Sequence, residues 1–378
     1  KLVNILLVQP SYNNPGHYTS APSRALLILG TLAKQKGHQV HIMHVDMDGD
    51  VTPEVLKEYK PDIVGITVNT FQCRGAKEIA NRVKAHGNGT LLVIGGPHAV
   101  VWDGPADKVV IGEGENQWLE ILGEAALEME ADDVPIPDYS LVNMSKFYGV
   151  KPVGAIPSTE IMVSRGCPFS CIFCNTPIFW GRKVRYRSPH LVVEEITHLH
   201  RQYGMAEVFF QDDTFNANIP WAIDIFERII KKGLNKTMLF RICCRVNQKM
   251  LTKDFLNMAY RAGVWNIFFG VESGCQAQLD RMHKEQTVED IERAIEMTRD
   301  AHISQQCSLI IGTPGETLET LMETKALMHK AKPRILGWAH ACPFPKTEMD
   351  KIVTERGHKR IIPYEQYGYG EVICRTAA

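Results

Sequence analysis

The sequence predicts an α/β protein in two parts, a Rossmann-like doubly wound parallel sheet followed by a partial, open (β/α)6 barrel. Short apolar runs of strand length alternate with stretches of helical period along nearly the whole chain. An acidic and then proline-bearing stretch interrupts the alternation once, between 131 and 157. At 378 residues the chain also exceeds what one hydrophobic core supports, ~250 to 300 residues.

In the first part Val3–Val8 reads as a strand, the polar stretch Gln9–Ser23 as a long loop, and Ala25–Lys36 as a helix with leucines at 26, 27, 29 and 32, closed by Gly37. His38–Val45 is the next strand. Ile63–Thr67 then leads into a helix over Gly75–Ala85, Thr90–Ile94 into the turn Gly95-Gly96-Pro97, and Val109–Ile111 into a helix over Glu115–Met129. Ligands of such sheets sit beyond the carboxyl ends of the strands, which singles out the loops Pro10–Tyr18, Asn69–Arg74, Gly95–Val101 and Gly112–Asn116. Residues 1–130 form this domain, and 131–157, with Pro135, Pro137, Pro152 and Pro157, reads as a linker.

The barrel is expected over 158–341, with a short C-terminal segment, 342–378, after it. Its strands are Glu160–Val163, Glu207–Gln211, Leu239–Cys243, Asn266–Val271, Gln306–Ile311 and Arg334–Ala341. Ser188-Pro189 opens a helix whose face is Val192, Ile196, Leu199 and Tyr203, closed by Gly204. Thr252–Ala262 and Thr287–Arg299 are further helices, the second carrying Ile291, Ala294, Ile295 and Thr298 on one face. Six repeats are too few for a closed eight-fold barrel.

Composition narrows the function classes. Apolar residues at 44% and charged residues at 22% specify a folded chain. A net charge of −1 supplies no general basic field, so no nucleic-acid partner is expected. No run nears the length of a membrane span, and Lys1–Gln9 reads as a strand rather than a signal sequence, so a cytoplasmic location is expected.

Of ten cysteines, Cys73, Cys243, Cys244, Cys275, Cys307, Cys342 and Cys374 are scattered, whereas Cys167, Cys171 and Cys174 form C-x3-C-x2-C after the first barrel strand. That register arises by chance with a frequency of only ~0.7%. Three thiolates on one loop suit an iron-sulfur cubane with one iron left open to a small chelating molecule. Zinc, with His190 or His198 completing a site, and three unligated thiols are the alternatives. In the first domain the phosphate-binding G-x-G-x-x-G is missing after the first strand, which disfavours a dinucleotide.

The cysteine loop, with Phe173 just before its third cysteine, resembles that of the radical S-adenosylmethionine (SAM) superfamily. The resemblance implies a [4Fe-4S] cluster on Cys167, Cys171 and Cys174, with SAM chelating the open iron and Phe173 contacting the adenine. It implies that Gln211-Asp212-Asp213 holds the SAM ammonium, and Arg245 suits the SAM carboxylate through its fork of donors, an ordinary salt bridge being the plainer alternative. Glu272 and Ser273, between Gly270 and Gly274, and Ile311-Gly312 are expected at the ribose and adenine.

The first-domain turns Gly95-Gly96-Pro97-His98 and Gly112-Glu113-Gly114-Glu115, with the run I-P-D-Y-S-L at 136–141, resemble the cobalamin-binding domain of B12-dependent radical SAM enzymes. The implied crevice is lined by Pro10, Ser11 and Tyr12, by Thr67, Asn69, Thr70, Phe71 and Gln72, and by the two glycine turns. The motif D-x-H-x-x-G is absent from residues 1–129, so no imidazole is expected below cobalt. The Asn69–Gln72 loop is expected there, with His98 and His17 as the nearest alternatives.

The activity the resemblance implies is methyl transfer from methylcobalamin to an unactivated sp3 carbon, with an electron donor of the flavodoxin or ferredoxin type. The alternatives are a non-methylating B12 enzyme, such as an oxidative cyclase, and a SAM or cobalamin sensor. Methylthiotransferases fit less well, because Cys73 alone stands where they carry three further cysteines. A substrate on a peptide or protein side chain is expected, as in methyl-coenzyme M reductase, because a short tail leaves the barrel mouth for a bulky substrate to seal. The sequence assigns no catalytic acid or base.

Overall fold

The computed structural model describes residues 2–13, 21–128, 130–148, 154–355, 362–368 and 372. The chain divides into two compact units, one of residues 1–151 with 178–180 and 362–369, the other of 152–177, 181–361 and 370–378.

The sheet of the first unit is built from β1 (Asn4–Gln9), β2 (Gln39–His44), β3 (Ile63–Thr67), β4 (Leu91–Gly95) and β5 (Lys108–Val109). Between them run α1 (Arg24–Gln35), the short α2 (Val45–Asp48), α3 (Pro53–Tyr59) and α4 (Cys73–His86), and α5 (Glu115–Leu122) follows. Every pairing is parallel, in the order β2-β1-β3-β4-β5. Leu6, Val8, Val64, Ile66, Leu92 and Ile94 pack against Ala76, Ile79, Ala80 and Val83 of α4. Ser23 caps α1 by accepting from the Leu26 amide, and Ile28 and Leu32 pack with Leu119 of α5.

Two expectations need correction. The helix expected to Met129 stops at Leu122, because Gly123 turns left-handed at φ 75° and closes it. The Asn116 side chain then folds the chain back, accepting from the Leu127 amide at 2.7 Å and donating to its carbonyl at 3.0 Å. The stretch expected as a linker is not free either. Tyr139, Met144 and Phe147 are buried, the Asp138 amide donates to Thr31 Oγ1 at 2.8 Å, and Lys34 pairs with the Asp138 carboxylate at 2.6 Å.

The second unit holds a six-stranded parallel sheet, β6 (Ser158–Ile161), β9 (Glu207–Phe210), β10 (Leu239–Cys244), β11 (Val264–Glu272), β12 (Ser304–Ile311) and β13 (Ile335–His340), in that spatial order. After β6 come the hairpin strands β7 (Ser164–Arg165) and β8 (Arg185–Tyr186), with α6 (Thr176–Phe179) between them. The remaining helices are α7 (Pro189–Tyr203), α8 (Ile219–Lys231), α9 (Lys253–Arg261), α10 (Gln276–Arg281), α11 (Val288–Asp300), α12 (Leu318–Ala331) and α13 (Glu348–Glu355). The starts of α9, α11 and α12 share one device, a threonine (Thr252, Thr287, Thr317) whose hydroxyl accepts the backbone N–H three residues on. At the amino end of the sheet the Glu207 carboxylate is fully buried and pairs with Arg241 at 2.6 Å. It also accepts from the Ala155 amide at 2.8 Å and the Trp265 indole at 3.2 Å, so this end is a satisfied structural network. The carboxyl end remains for chemistry.

Candidate functional site

The three cysteines lie on the loop between β7 and β8, whose antiparallel pairing, Ser164 with Tyr186 and Arg165 with Arg185, closes the loop at its base. Gly166 makes that closure possible. Its φ is +99°, and a Cβ there would stand 2.4 Å from the Lys183 carbonyl oxygen. Cys167 is buried, Cys171 and Cys174 half-buried, and the Cys174 amide donates to the Cys171 carbonyl at 3.1 Å. Burial pushes the Cys174 thiol up. Among the described residues no three His, Cys, Asp or Glu side chains converge on one point, as a single tetrahedral zinc demands.

The end of β9 clamps both flanks of this loop. Asp212 Oδ1 accepts from the Val163 amide at 3.1 Å and from the amide and hydroxyl of Ser164, each at 2.5 Å. Asp213 Oδ1 accepts from the Thr176 hydroxyl at 2.8 Å. Thr214, next along, puts its hydroxyl 3.6 Å from the Cys167 sulfur. One face of the acidic pair is therefore spent on shaping the loop. The other oxygen of Asp212 is buried and has no hydrogen-bond partner among the described residues, and burial raises its carboxyl to about 7.

Arg245, just past β10, is its counterpart. The guanidinium lies over the Phe169 ring at 3.6 Å, its Nη1 points at the Cys171 sulfur at 3.6 Å, and Nη2 is buried without a partner among the described residues. Asn216 holds it there, accepting from the Arg245 amide at 2.9 Å and donating to its carbonyl at 3.0 Å. A half-satisfied carboxylate and a half-satisfied guanidinium beside a thiol loop fit a zwitterionic amino acid bound at a cluster.

The remaining expected SAM residues are present but more engaged than the sequence suggests. Glu272, at φ 66°, pairs with Lys284 at 2.9 Å, and both are buried. The two glycines beside it serve protein neighbours rather than a ligand. A Cβ on Gly270 would meet Glu272 Oε1 at 2.4 Å, and one on Gly274 would meet the Thr324 backbone at 2.7 Å. Ser273 is 3.2 Å from the Thr324 hydroxyl. Gly312 donates to Glu316 at 2.5 Å while its Cα faces open space, and Gln211 and Ile311 are half-buried.

Sequence reading missed the segment 282–286, which backs the cysteine loop. The Ile172 amide donates to the Met282 carbonyl at 3.1 Å, Ser170 Oγ donates to Glu285 at 3.2 Å, and Lys284 stands 5.7 Å over the Phe173 ring. No motif marked it. His283 and Glu285 alternate in the left-handed region, which only coordinates reveal.

In the first unit three of the expected loops meet at the carboxyl ends of β1, β3 and β4. Gln72 donates to the Pro10 carbonyl at 2.8 Å, His98 Nδ1 lies 3.2 Å from the Thr70 hydroxyl, and the His98 amide donates to the Val68 carbonyl at 2.9 Å. His98 is thus a hydrogen-bonded residue of the crevice wall. Gly96 is required by backbone approach, since a Cβ would lie 2.8 Å from Val68 N and O, whereas Gly112, at φ 80°, faces open space. The Asn69 side-chain oxygen Oδ1 is buried without a partner among the described residues, and Thr70, Phe71 and Gln72 beside it are buried. An orphaned acceptor and an open glycine at strand ends fit a bound cofactor there. The Gly112–Glu115 turn follows the edge strand β5, and His17 lies outside the described residues.

The family models agree with this division. The model of the radical SAM superfamily matches residues 161–328 and that of the B12 binding domain matches residues 18–122. The chain is 30% identical to an uncharacterized methyltransferase of Pyrococcus horikoshii, over 92% of this chain and 83% of the relative. It is 29% identical to the anaerobic magnesium-protoporphyrin IX monomethyl ester cyclase of Cereibacter sphaeroides, over 100% of this chain and 67% of that one. Among solved structures, the cobalamin-dependent SAM radical enzyme OxsB shares the fold at a TM-score of 0.79 and 19% identity, covering 100% of this chain and 64% of that one. Among the described residues no helix is long and apolar enough to cross a membrane. The chain belongs to the cobalamin-dependent radical SAM methyltransferase family.

Proposed function

We propose that this enzyme transfers a methyl group from methylcobalamin to an unactivated sp3 carbon, with Cys167, Cys171 and Cys174 ligating a [4Fe-4S] cluster. The observation that carries the reading is the cysteine loop flanked by two half-satisfied buried charges, Asp212 and Arg245. When bound, the cluster supplies an electron to SAM and cobalamin carries the methyl group. The chain's own part is to hold and to shield. Asp212 and Asp213 fix the loop flanks through Ser164 and Thr176, and Asp212 Oδ2 and Arg245 Nη2 supply the partners of an ammonium and a carboxylate. Glu272, held by Lys284, would hold the ribose, and the Asn69–Gln72 loop would hold the cobalamin.

The test is anaerobic reconstitution with iron, SAM, methylcobalamin and a strong reductant. Replacing Cys167, Cys171 and Cys174 together by alanine is expected to abolish iron loading and 5′-deoxyadenosine formation at once. About four irons per chain remaining in that variant would exclude these ligands. The relative that is a cyclase supports a second reading, an oxidative ring closure on a small molecule. Product stoichiometry separates the two, because methyl transfer yields S-adenosylhomocysteine together with 5′-deoxyadenosine for each product. As acceptor we propose a peptide or protein side chain, supported by the edge strand β13, whose Leu336 and Trp338 are 41% and 65% exposed and along which an extended peptide can pair. Offering peptides beside small metabolites tests this, and turnover of free metabolites alone would overturn it.

A further inference from the structure

We infer that residues 362–368, remote in sequence from the first domain, are a working part of its cobalamin site and hold the cofactor loops in their binding conformation. The inference rests on the cobalamin reading above. This segment belongs to the first unit, where its short helical turn Tyr364–Gln366 is fastened to the loops assigned to the cofactor. Asn13, 4% exposed, is the fastening point. Its Nδ2 faces three carbonyls, those of Thr70 at 3.4 Å, Tyr364 at 3.4 Å and Tyr367 at 3.0 Å, while its backbone N–H donates to the Phe71 carbonyl at 2.6 Å. One side chain thereby joins the loop after β1, the loop after β3 and the returning segment.

Two further contacts act on the same loops. The Tyr364 ring meets the His98 imidazole edge-on, with centroids 5.0 Å apart, and His98 in turn touches Thr70. Lys77 of α4 pairs with Glu365 of the segment and, at 2.6 Å, with Asp103. Thr70 is thus held from behind by Asn13 and His98 by Tyr364, both groups remote in sequence from the loop they support. Loops supported in this way keep their shape without the cofactor, and pre-organisation of that kind tightens binding. Linkage makes the coupling reciprocal, so bound cobalamin must steady the segment in turn.

The experiment measures aquocobalamin binding to the full chain by equilibrium dialysis, with iron loading of the second unit followed in parallel. Asn13→Ala is expected to weaken binding at least tenfold, and the milder Lys77→Ala about threefold, with iron loading unchanged in both. Hydrogen exchange of the 362–368 peptide in the wild-type chain is expected to slow when aquocobalamin is added. If the wild-type chain binds cobalamin but both variants hold it within twofold and exchange does not change, the role assigned to the segment is overturned and the cobalamin reading stands. If the wild-type chain binds none, the cobalamin reading falls and the inference falls with it.

Discussion

At Asp212, burial raises the carboxyl to about 7, while Oδ1 is committed to Val163 and Ser164 and Oδ2 has no partner among the described residues. A group in that state is about half protonated at pH 7, and a cation placed on Oδ2 must drive the proton off. SAM binding at pH 7 is therefore expected to release roughly half a proton, seen in calorimetry as an enthalpy that changes with the ionisation heat of the buffer. Asp212→Asn should lower the proton release by roughly that half proton, and a buffer dependence unchanged in this variant would rule out a SAM cation on Asp212. The presence of two carboxylates here was legible from the sequence. Their division of labour was not, because one carboxylate oxygen shapes a loop and the other is left over, a distinction that depends on directions within a single side chain.

The elements themselves were legible wherever apolar period and length agreed. Ile63–Thr67 is a strand with the expected bounds, and the helix opened by Pro189 closes on Gly204 as expected. Pro53–Tyr59 was missed because seven residues carry too little periodic signal, although Thr52 caps it through the Val55 amide. The hairpin β7–β8 was missed because its strands are two residues long and twenty apart, and nothing local marks such a pairing. Its glycine gives the prediction at this scale. Gly166→Ala adds a Cβ against the Lys183 carbonyl at a left-handed φ, which costs on the order of 1 to 3 kcal/mol of local strain. Iron loading is expected to fall at least several-fold with cobalamin binding unchanged. Gly112→Ala serves as control, since it too places alanine at a positive φ, +80°, but without a clash. Equal iron loading in the two variants would mean that the hairpin base does not shape the cysteine loop.

Across the whole molecule the two units carry buried titrating groups of opposite sign. In the first unit burial lowers His44 to about 4, and its Nε2 must stay unprotonated to accept from the Ser23 amide at 2.8 Å. A histidine depressed in the fold takes up its proton more readily when unfolded, so this contribution is present above the ordinary value of 6.5 and is lost as pH falls from there through about 4. Asp212 in the second unit runs the other way. Its carboxyl is raised from an ordinary 3.8, so its contribution is present at low pH and is lost as pH rises through about 7 while no cation occupies Oδ2. Acid is therefore expected to loosen the first unit and mild alkali the second. Hydrogen exchange read by peptide at pH 5 and pH 8 resolves the two. Peptides of β1 and α1 are expected to exchange faster at pH 5, and those of β9 and the cysteine loop at pH 8, after correction for intrinsic rates. His44→Gln keeps an acceptor for Ser23 without a titrating nitrogen and should remove the acid response alone, while SAM should remove the alkaline response alone. Parallel pH responses in the two units, or an acid response that survives His44→Gln, would show that other groups set the pH dependence.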